Sequence, residues 1–441
     1  RAMLQVVGGG GQAALLAPTE VLAAQHHASL GSLLGPLAGA GMLGGAERAT
    51  RVHLLTGSTP ASGRRRILAE LAAGEPVIVV GTHALLSETV QMPLLGLVVV
   101  DEQHRFGVAQ RDALRERALA VDPATGRRLT PHLLVMTATP IPRTVAMTIF
   151  GDLEMTVLDE LPAGRRPVTT HLVPWERETW VAGIWRRAAR EVAAGGRVYV
   201  VCPRIDVTGE PGAGPADEDV VGTDDDLLDG LAGAPARPPA AVAEWAERLG
   251  AEPALEGVRI GTLTGRMGQA DKDAAMEDFA SGRAPVLVAT TVVEVGVDVP
   301  EASLMVILDA DRFGLSQLHQ LRGRVGRGGR ESVCIAVTGA EVGSPAYHRL
   351  RAFARIGDGF ALAEADLALR SEGNVLGAAQ SGRASDLDLL KVTRDGDVIA
   401  QARVEAEAVI AVDPELREHR ALAAAIADRL DEESEAFLDR A

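Results

Sequence analysis

The chain has 441 residues, 47% of them hydrophobic but only 3% aromatic, and a formal net charge of −16. That length accommodates two or three domains with ample core, and an Ala/Val/Leu-rich, aromatic-poor composition points to α/β packing rather than a β-sandwich. Two cysteines, Cys202 and Cys334, both in apolar strand-like runs, exclude a disulfide framework and a Cys-type zinc site. No apolar run reaches the ~18–20 residues of a membrane span and no secretory pattern is present, so a cytoplasmic chain with no membrane partner is expected.

In chain order, the first half alternates short aliphatic strands with helical stretches. Strands are predicted at Gln12–Ala17, Val52–Leu55, Val77–Val80, Leu97–Val100 and His132–Met136, with helices at Arg1–Val7, Glu20–Leu34 and Ser62–Ala73. This alternation predicts a parallel, doubly wound sheet. A turn-rich stretch, Asp159–Thr170, reads as a linker. A second α/β series follows, with strands at Val168–Val173, Arg197–Cys202, Val258–Leu263, Pro285–Ala289, Leu304–Leu308 and Val333–Val337. It is interrupted at about 206–240 by a Gly/Pro/Ala/Asp-rich insertion with the composition of a disordered surface segment. After about Gly343 the strand signal ends and the remainder reads as mainly helical, with a glycine-bearing irregular stretch at Arg370–Ser385.

Charge is distributed unevenly. From Asp206 to Ala236 there are nine acidic residues and no Lys or Arg, so this segment carries much of the negative excess. The total therefore does not exclude a nucleic-acid partner. Of 44 basic residues 42 are arginine, leaving only Lys272 and Lys391.

The strand Leu97–Val100 runs directly into Asp101-Glu102-Gln103-His104. In open α/β sheets ligands gather beyond the carboxyl ends of strands. Asp101 thus stands where a hard cation such as Mg²⁺ could be held beside phosphates, and Glu102 where it could orient a water. Taken alone, the pair reads equally well as a solvated turn. Thr137-Ala138-Thr139-Pro140 ends His132–Met136 and should share that sheet edge, either as coupling hydroxyls or as a Pro-stopped turn. Pro18 and Thr19, and Thr82, stand at strand-to-helix junctions, where backbone N–H groups and a hydroxyl suit a phosphate backbone; helix capping explains either threonine as well.

The most specific signal lies in the second series. Thr290–Asp298 follows a strand and includes Gly296. Gln320-Leu321-Arg322-Gly323-Arg324-Val325-Gly326-Arg327 then begins a run that ends at Arg330, four arginines within nine residues interleaved with glycine. Glycine is a poor helix former, and guanidinium forks match phosphates bidentately. Against this, the sequence contains no Gly-x-x-x-x-Gly-Lys-Ser/Thr phosphate loop, because neither lysine follows a glycine. The helix at Arg1–Val7 lies where the helix after such a loop would end, so the chain is expected to be an N-terminally truncated fragment.

Together these segments resemble superfamily 2 helicases in order and spacing. Ala14–Glu20 resembles motif Ia, Asp101–His104 motif II in its Asp-Glu-Gln-His form, Thr137–Pro140 motif III, Thr290–Asp298 motif V, and Gln320–Arg327 motif VI. The finer resemblance is to the RecG family of branch-migration helicases. Asp101–Val108, Met136–Arg143 and Asp366–Gly382 are similar to its signature stretches, the last to a translocation motif shared with the transcription-repair coupling factor Mfd. The segments Ala402–Ala408 and Phe437–Asp439 resemble the RecG carboxyl terminus. The chain departs from the family at Arg370-Ser371-Glu372-Gly373, where Arg-Gly-Pro-Gly is usual.

The resemblance implies an α/β fold of two RecA-like lobes, residues 1–160 and 166–343, followed by a translocation-motif region at 344–441. It implies ATP as substrate and Mg²⁺ as cofactor. Asp101 would hold the metal and Glu102 position the attacking water, with Arg324 and Arg327 reaching the γ-phosphate from the second lobe, supported by Gln320. Gln103, His104, Thr137, Thr139, Gly296 and Asp298 would couple nucleotide state to lobe movement. Pro18, Thr19, Thr82, Thr290, Arg370 and Gln380 would serve DNA contact and stepping. Branched double-stranded DNA at forks and Holliday junctions is the implied partner of a monomeric motor, with single-strand-binding protein as a further candidate. Alternatives are an Mfd-like translocase or a non-catalytic DNA-binding fragment, since without a phosphate loop the 441 residues alone are expected to be inactive.

Overall fold

The computed structural model describes residues 1–38, 49–87, 89–102, 130–137, 156–158, 166–206, 238–294, 299–369 and 396–429. The chain forms two compact units, Arg1–Ala138 with Val295–Val297, and Thr139–Glu294 with Asp298–Ala441.

The first unit is built on five parallel strands: β1 (Gln12–Leu16), β2 (Arg51–Leu55), β3 (Val77–Gly81), β4 (Leu95–Asp101) and β5 (His132–Met136). Their order is β2-β3-β1-β4-β5. β1 and β3 are buried along their whole length, and strands covered on both faces read as continuous aliphatic runs. Successive side chains serve opposite faces. Ala13, Leu15, Ile78, Val80, Leu97 and Val99 form one core layer with residues of α1 (Ala2–Gly8) and α2 (Glu20–Leu34). Ala14, Leu16, Val77, Val79, Val98 and Val100 form the other with Ile67 and Leu71 of α3 (Ala61–Ala72).

Six parallel strands organise the second unit: β6 (Val168–Pro174), β7 (Arg197–Val201), β8 (Ile260–Leu263), β9 (Val286–Ala289), β10 (Ala302–Ile307) and β11 (Ser332–Thr338), in the order β6-β11-β10-β7-β9-β8. α4 (Glu178–Ala193) and α5 (Val242–Gly250) bring Ile184, Trp185, Trp245 and Leu249 onto one face. Trp245 is the hub, with ring centroids 5.7 Å from Trp175 and 5.6 Å from Trp185. Tyr199 meets Phe279 of α6 (Gln269–Ser281) at 4.5 Å. Among the described residues the further α-helices are α7 (Leu315–Arg322), α8 (Pro345–Arg355), α9 (Gly359–Leu369), α10 (Gly396–Val412) and α11 (Arg420–Arg429).

The expected strands are present with shifted ends. Val258 is drawn into the turn before β8, its N–H donating to Leu255 at 2.9 Å, so pairing starts only at Ile260. Strand β4 runs longer than expected, from Leu95 to Asp101 itself. Both cysteines are buried free thiols; burial pushes Cys334 up to about 12 and Cys202 higher still, with the Asp309 charge adding to the latter. They are inert side chains of the core.

Candidate nucleotide and nucleic-acid site

Parallel strands bring their carboxyl ends to one edge. In the first unit that edge gathers, from neighbouring strands, Thr82 after β3, Pro18 and Thr19 after β1, Asp101 and Glu102 at β4, and Thr137 after β5. Asp101 stands in register with Met136, directly before Thr137, so the expected common edge of Asp101 and Thr137 is present.

The Asp101 carboxylate is held at both oxygens. Oδ1 accepts the N–H of Glu102 at 3.0 Å, and Oδ2 contacts Nε2 of His26 in α2 at 2.7 Å. A carboxylate only accepts, so Nε2 carries the proton in this contact. Each oxygen keeps further acceptor capacity, and the side chain retains 18% exposure. A partly buried carboxylate at a strand end, still open to solvent, fits one ligand position of an oxygen-preferring cation such as Mg²⁺. Glu102 follows with φ at 53°, a left-handed conformation rare outside glycine. Such backbone costs roughly 1–3 kcal/mol and concentrates at functional sites.

The two threonine junctions, alike in sequence, differ in structure. Thr19 caps α2, its side chain accepting from Leu22 N–H at 3.3 Å. Glu20 next to it takes the Ser58 N–H at 3.1 Å and the Ser58 hydroxyl at 2.7 Å. Thr82 makes no side-chain cap; it is 1% exposed, and its hydroxyl has no hydrogen-bond partner among the described residues. Capping therefore accounts for Thr19 and leaves Thr82 unexplained.

In the second unit Thr290 directly follows β9 and is 8% exposed, with its N–H donating to the Leu263 carbonyl at 3.3 Å. Gln320 is half-buried on α7, Arg324 half-buried just past it, and Arg327 exposed with Nε donating to Gly323 at 3.0 Å. The arginine run does not act as one basic cluster. Arg322 is 5% exposed and points inward, donating to the carbonyls of Phe353 at 2.9 Å, Ile356 at 2.8 Å and Gly357 at 3.2 Å, and meeting His319 Nδ1 at 2.8 Å. It thereby satisfies carbonyls at the end of α8, and burial lowers its pKa. Arg330 binds the Ala194 carbonyl at 2.6 Å. Arg322, Arg327 and Arg330 thus each donate to backbone carbonyls.

Gln103, His104, Thr139, Gly296, Asp298, Arg370 and Gln380 lie outside the described residues, as do most of the acidic insertion and of the Asp366–Gly382 element. Sequence reasoning missed three residues. His26 stands seven positions after Thr19, two turns into a helix that was expected. Arg322 falls seven after Leu315 and four after Leu318, the buried face of α7. Asp309, 5% exposed, accepts from Trp175 Nε1 at 2.7 Å and from Ala240 N–H at 2.7 Å; no short-range signal marks that pair.

Three family models match the chain: the DEAD/DEAH box helicase over residues 1–148, the helicase conserved C-terminal domain over 241–329, and "ATP-dependent DNA helicase RecG, domain 3, C-terminal" over 356–436. The chain is 52% identical over 403 residues to the ATP-dependent DNA helicase RecG of Mycobacterium tuberculosis, covering 91% of this chain and 51% of the relative. It is 43% identical over 418 residues to that of Synechocystis, covering 95% and 44%. Among solved structures, RecG bound to a three-way DNA junction matches with a TM-score of 0.60 and 36% identity, over 90% of this chain and 45% of that one. The helicase MrfA bound to DNA and AMPPNP matches at 0.51 and 14%, over 92% of this chain and 53% of that one, a likeness of fold alone. The two sheets are the RecA-like lobes of a superfamily 2 helicase, and the chain spans about half the length of the curated relatives it matches. With 52% identity across nine-tenths of its residues and a match to the family's own third domain, the chain belongs to the RecG family.

Proposed function

We propose that the chain is the motor portion of an ATP-dependent double-stranded DNA translocase of the RecG type, remodelling stalled forks and Holliday junctions in repair and recombination. The observation that carries this reading is Asp101-Glu102 at the carboxyl edge of a parallel sheet, beside Thr19, Thr82 and Thr137, in a chain whose relatives are DNA helicases. In this reading residues 1–160 and 166–343 are the two motor lobes and 344–441 the translocation region. Asp101 holds Mg²⁺, and Glu102 orients a water for in-line attack on the γ-phosphate of ATP. Arg324 and Arg327, supported by Gln320, stabilise the charge of the transferring phosphoryl group. Gln103, His104, Thr137, Thr139, Gly296 and Asp298 relay nucleotide state, while Pro18, Thr19, Thr82, Thr290, Arg370 and Gln380 engage DNA. The motor works as a cytoplasmic monomer, with single-strand-binding protein as a partner.

These 441 residues include no phosphate loop, and on this reading they do not turn over ATP by themselves. The test therefore uses the complete gene product. Its ATPase should be stimulated more by a three-way junction than by linear duplex of equal length, and it should unwind the junction. ATPase indifferent to DNA, or junction binding without turnover, would favour a non-catalytic DNA-binding role instead. The match to RecG domain 3 speaks against the coupling-factor alternative, and a pull-down lacking RNA polymerase should accompany it.

A further inference from the structure

We infer that His26 is a positioning residue for Asp101, fixing the plane of the carboxylate that receives the cation and tying it to the end of α2 that carries Thr19 and Glu20. The inference rests on the reading of Asp101 as the metal-holding carboxylate.

The terminal torsion of an aspartate is broad and roughly two-fold, so an unrestrained carboxylate at a strand end sweeps a wide arc. Here Glu102 N–H holds Oδ1 at 3.0 Å, a contact from the next residue along the chain. His26 holds Oδ2 at 2.7 Å from a residue 75 positions away. The local bond alone leaves the carboxylate free to pivot about Oδ1; the second bond fixes its plane. Partners of this kind orient metal-ligating groups and tune their affinity.

His26 is not needed to attach its helix. His27, the next residue, contacts the Val52 carbonyl of β2 at 3.1 Å, and Glu20 clasps Ser58 through two bonds. Leu22, Ala23, Leu30 and Leu34 contribute to the core layer beneath. The two histidines reach β2 and β4, which lie on either side of the β3-β1 pair. Helix α2 is thus held across four strands with its rotation set independently of His26. That helix begins at Thr19, so a shift of its first turn on binding a phosphate backbone moves the His26 imidazole against Asp101. The distance along the helix is short: seven residues, about 10 Å at ~1.5 Å per residue.

The experiment measures Mn²⁺ binding by electron paramagnetic resonance in the complete gene product with a non-hydrolysable ATP analogue, alongside thermal melting. His26→Ala should weaken Mn²⁺ affinity by roughly 10–100-fold with little change in melting temperature, and His26→Gln, which keeps an N–H donor at similar reach, should recover most of it. Should the alanine variant melt early, His26→Leu keeps the bulk, lacks the donor and carries the same comparison. Asp101→Asn is the control. If it weakens Mn²⁺ binding while both His26→Ala and His26→Leu bind as the unaltered protein does, the positioning role is overturned and the metal reading stands. If Asp101→Asn binds Mn²⁺ undiminished, the metal reading fails and the inference falls with it.

Discussion

His26 and Asp101 meet at 2.7 Å, joining the middle of α2 to the last residue of β4 across 75 residues of sequence. Through that contact one helix joins Asp101 to the junction at Thr19, the two kinds of site residue proposed for the first unit. Thr19 caps its start, Glu20 opens its first turn, and His26 in its second turn holds the carboxylate. Under the proposed roles, the residues assigned to chemistry and to nucleic-acid contact are thereby linked through one helix.

Glu102 adopts a left-handed backbone directly after that carboxylate. Glu102→Gln removes the negative charge and keeps the shape, so in the complete gene product ATP turnover should be lost while nucleotide affinity is kept. Steady-state ATPase assays and equilibrium binding of a fluorescent ATP analogue check this. Undiminished turnover would remove Glu102 from the water-orienting role.

Arg327 and Arg322 stand five residues apart and should fail in different ways. Arg327 is exposed, and Arg327→Ala should slow hydrolysis by as much as ~10³–10⁵-fold if it acts on the transferring phosphoryl group, with stability unchanged. Arg322→Ala should instead lower stability by on the order of 2–3 kcal/mol, because it strips charge-assisted hydrogen bonds from the buried Phe353 carbonyl and the partly buried ones after it. Denaturant melts and single-turnover hydrolysis separate the two.

His53 gives a pH dependence with a defined sign. Burial lowers its pKa from the ordinary 6.5, with Arg51 and Arg66 adding to the effect and the Glu70 carboxylate opposing it. The folded state therefore binds this proton less readily than the unfolded chain does. Its stabilising contribution is complete above 6.5 and is lost as pH falls from there through the depressed folded value. Urea midpoints at about pH 7.5 and about pH 5.5 should show a larger acid loss in the unaltered protein than in His53→Gln, a difference that comes from this linkage alone.

Gly81 ends β3 immediately before Thr82, and a Cβ there would lie 2.2 Å from the Leu55 carbonyl oxygen and 2.9 Å from Leu85 Cγ. Backbone cannot yield as a flexible side chain does. Gly81→Ala should cost roughly 1–3 kcal/mol, the usual range for overpacking, and should displace Thr82. Chemical denaturation measures the first effect. A fall in DNA affinity, larger than that of a Gly57→Ala control facing only the movable Glu20 side chain at 3.0 Å, measures the second.

The sequence by itself determined the two parallel sheets, because central strands carry unbroken aliphatic runs such as Val77–Val80 and Leu97–Val100 when helices cover both faces. It determined the place of Asp101, since a carboxylate pair directly after such a strand has only the sheet edge to occupy. It also ordered the motifs that resemble the RecG family. Tertiary structure alone decided which polar groups face each other. Thr19 and Thr82 occupy similar junctions, yet only Thr19 caps a helix. Arg322 and Arg324 are two residues apart, yet the helix periodicity of α7 turns Arg322 into the core. Local propensity and hydrophobic period are short-range and written along the chain, whereas a hydrogen bond between residues 75 apart exists only once the elements between them have packed.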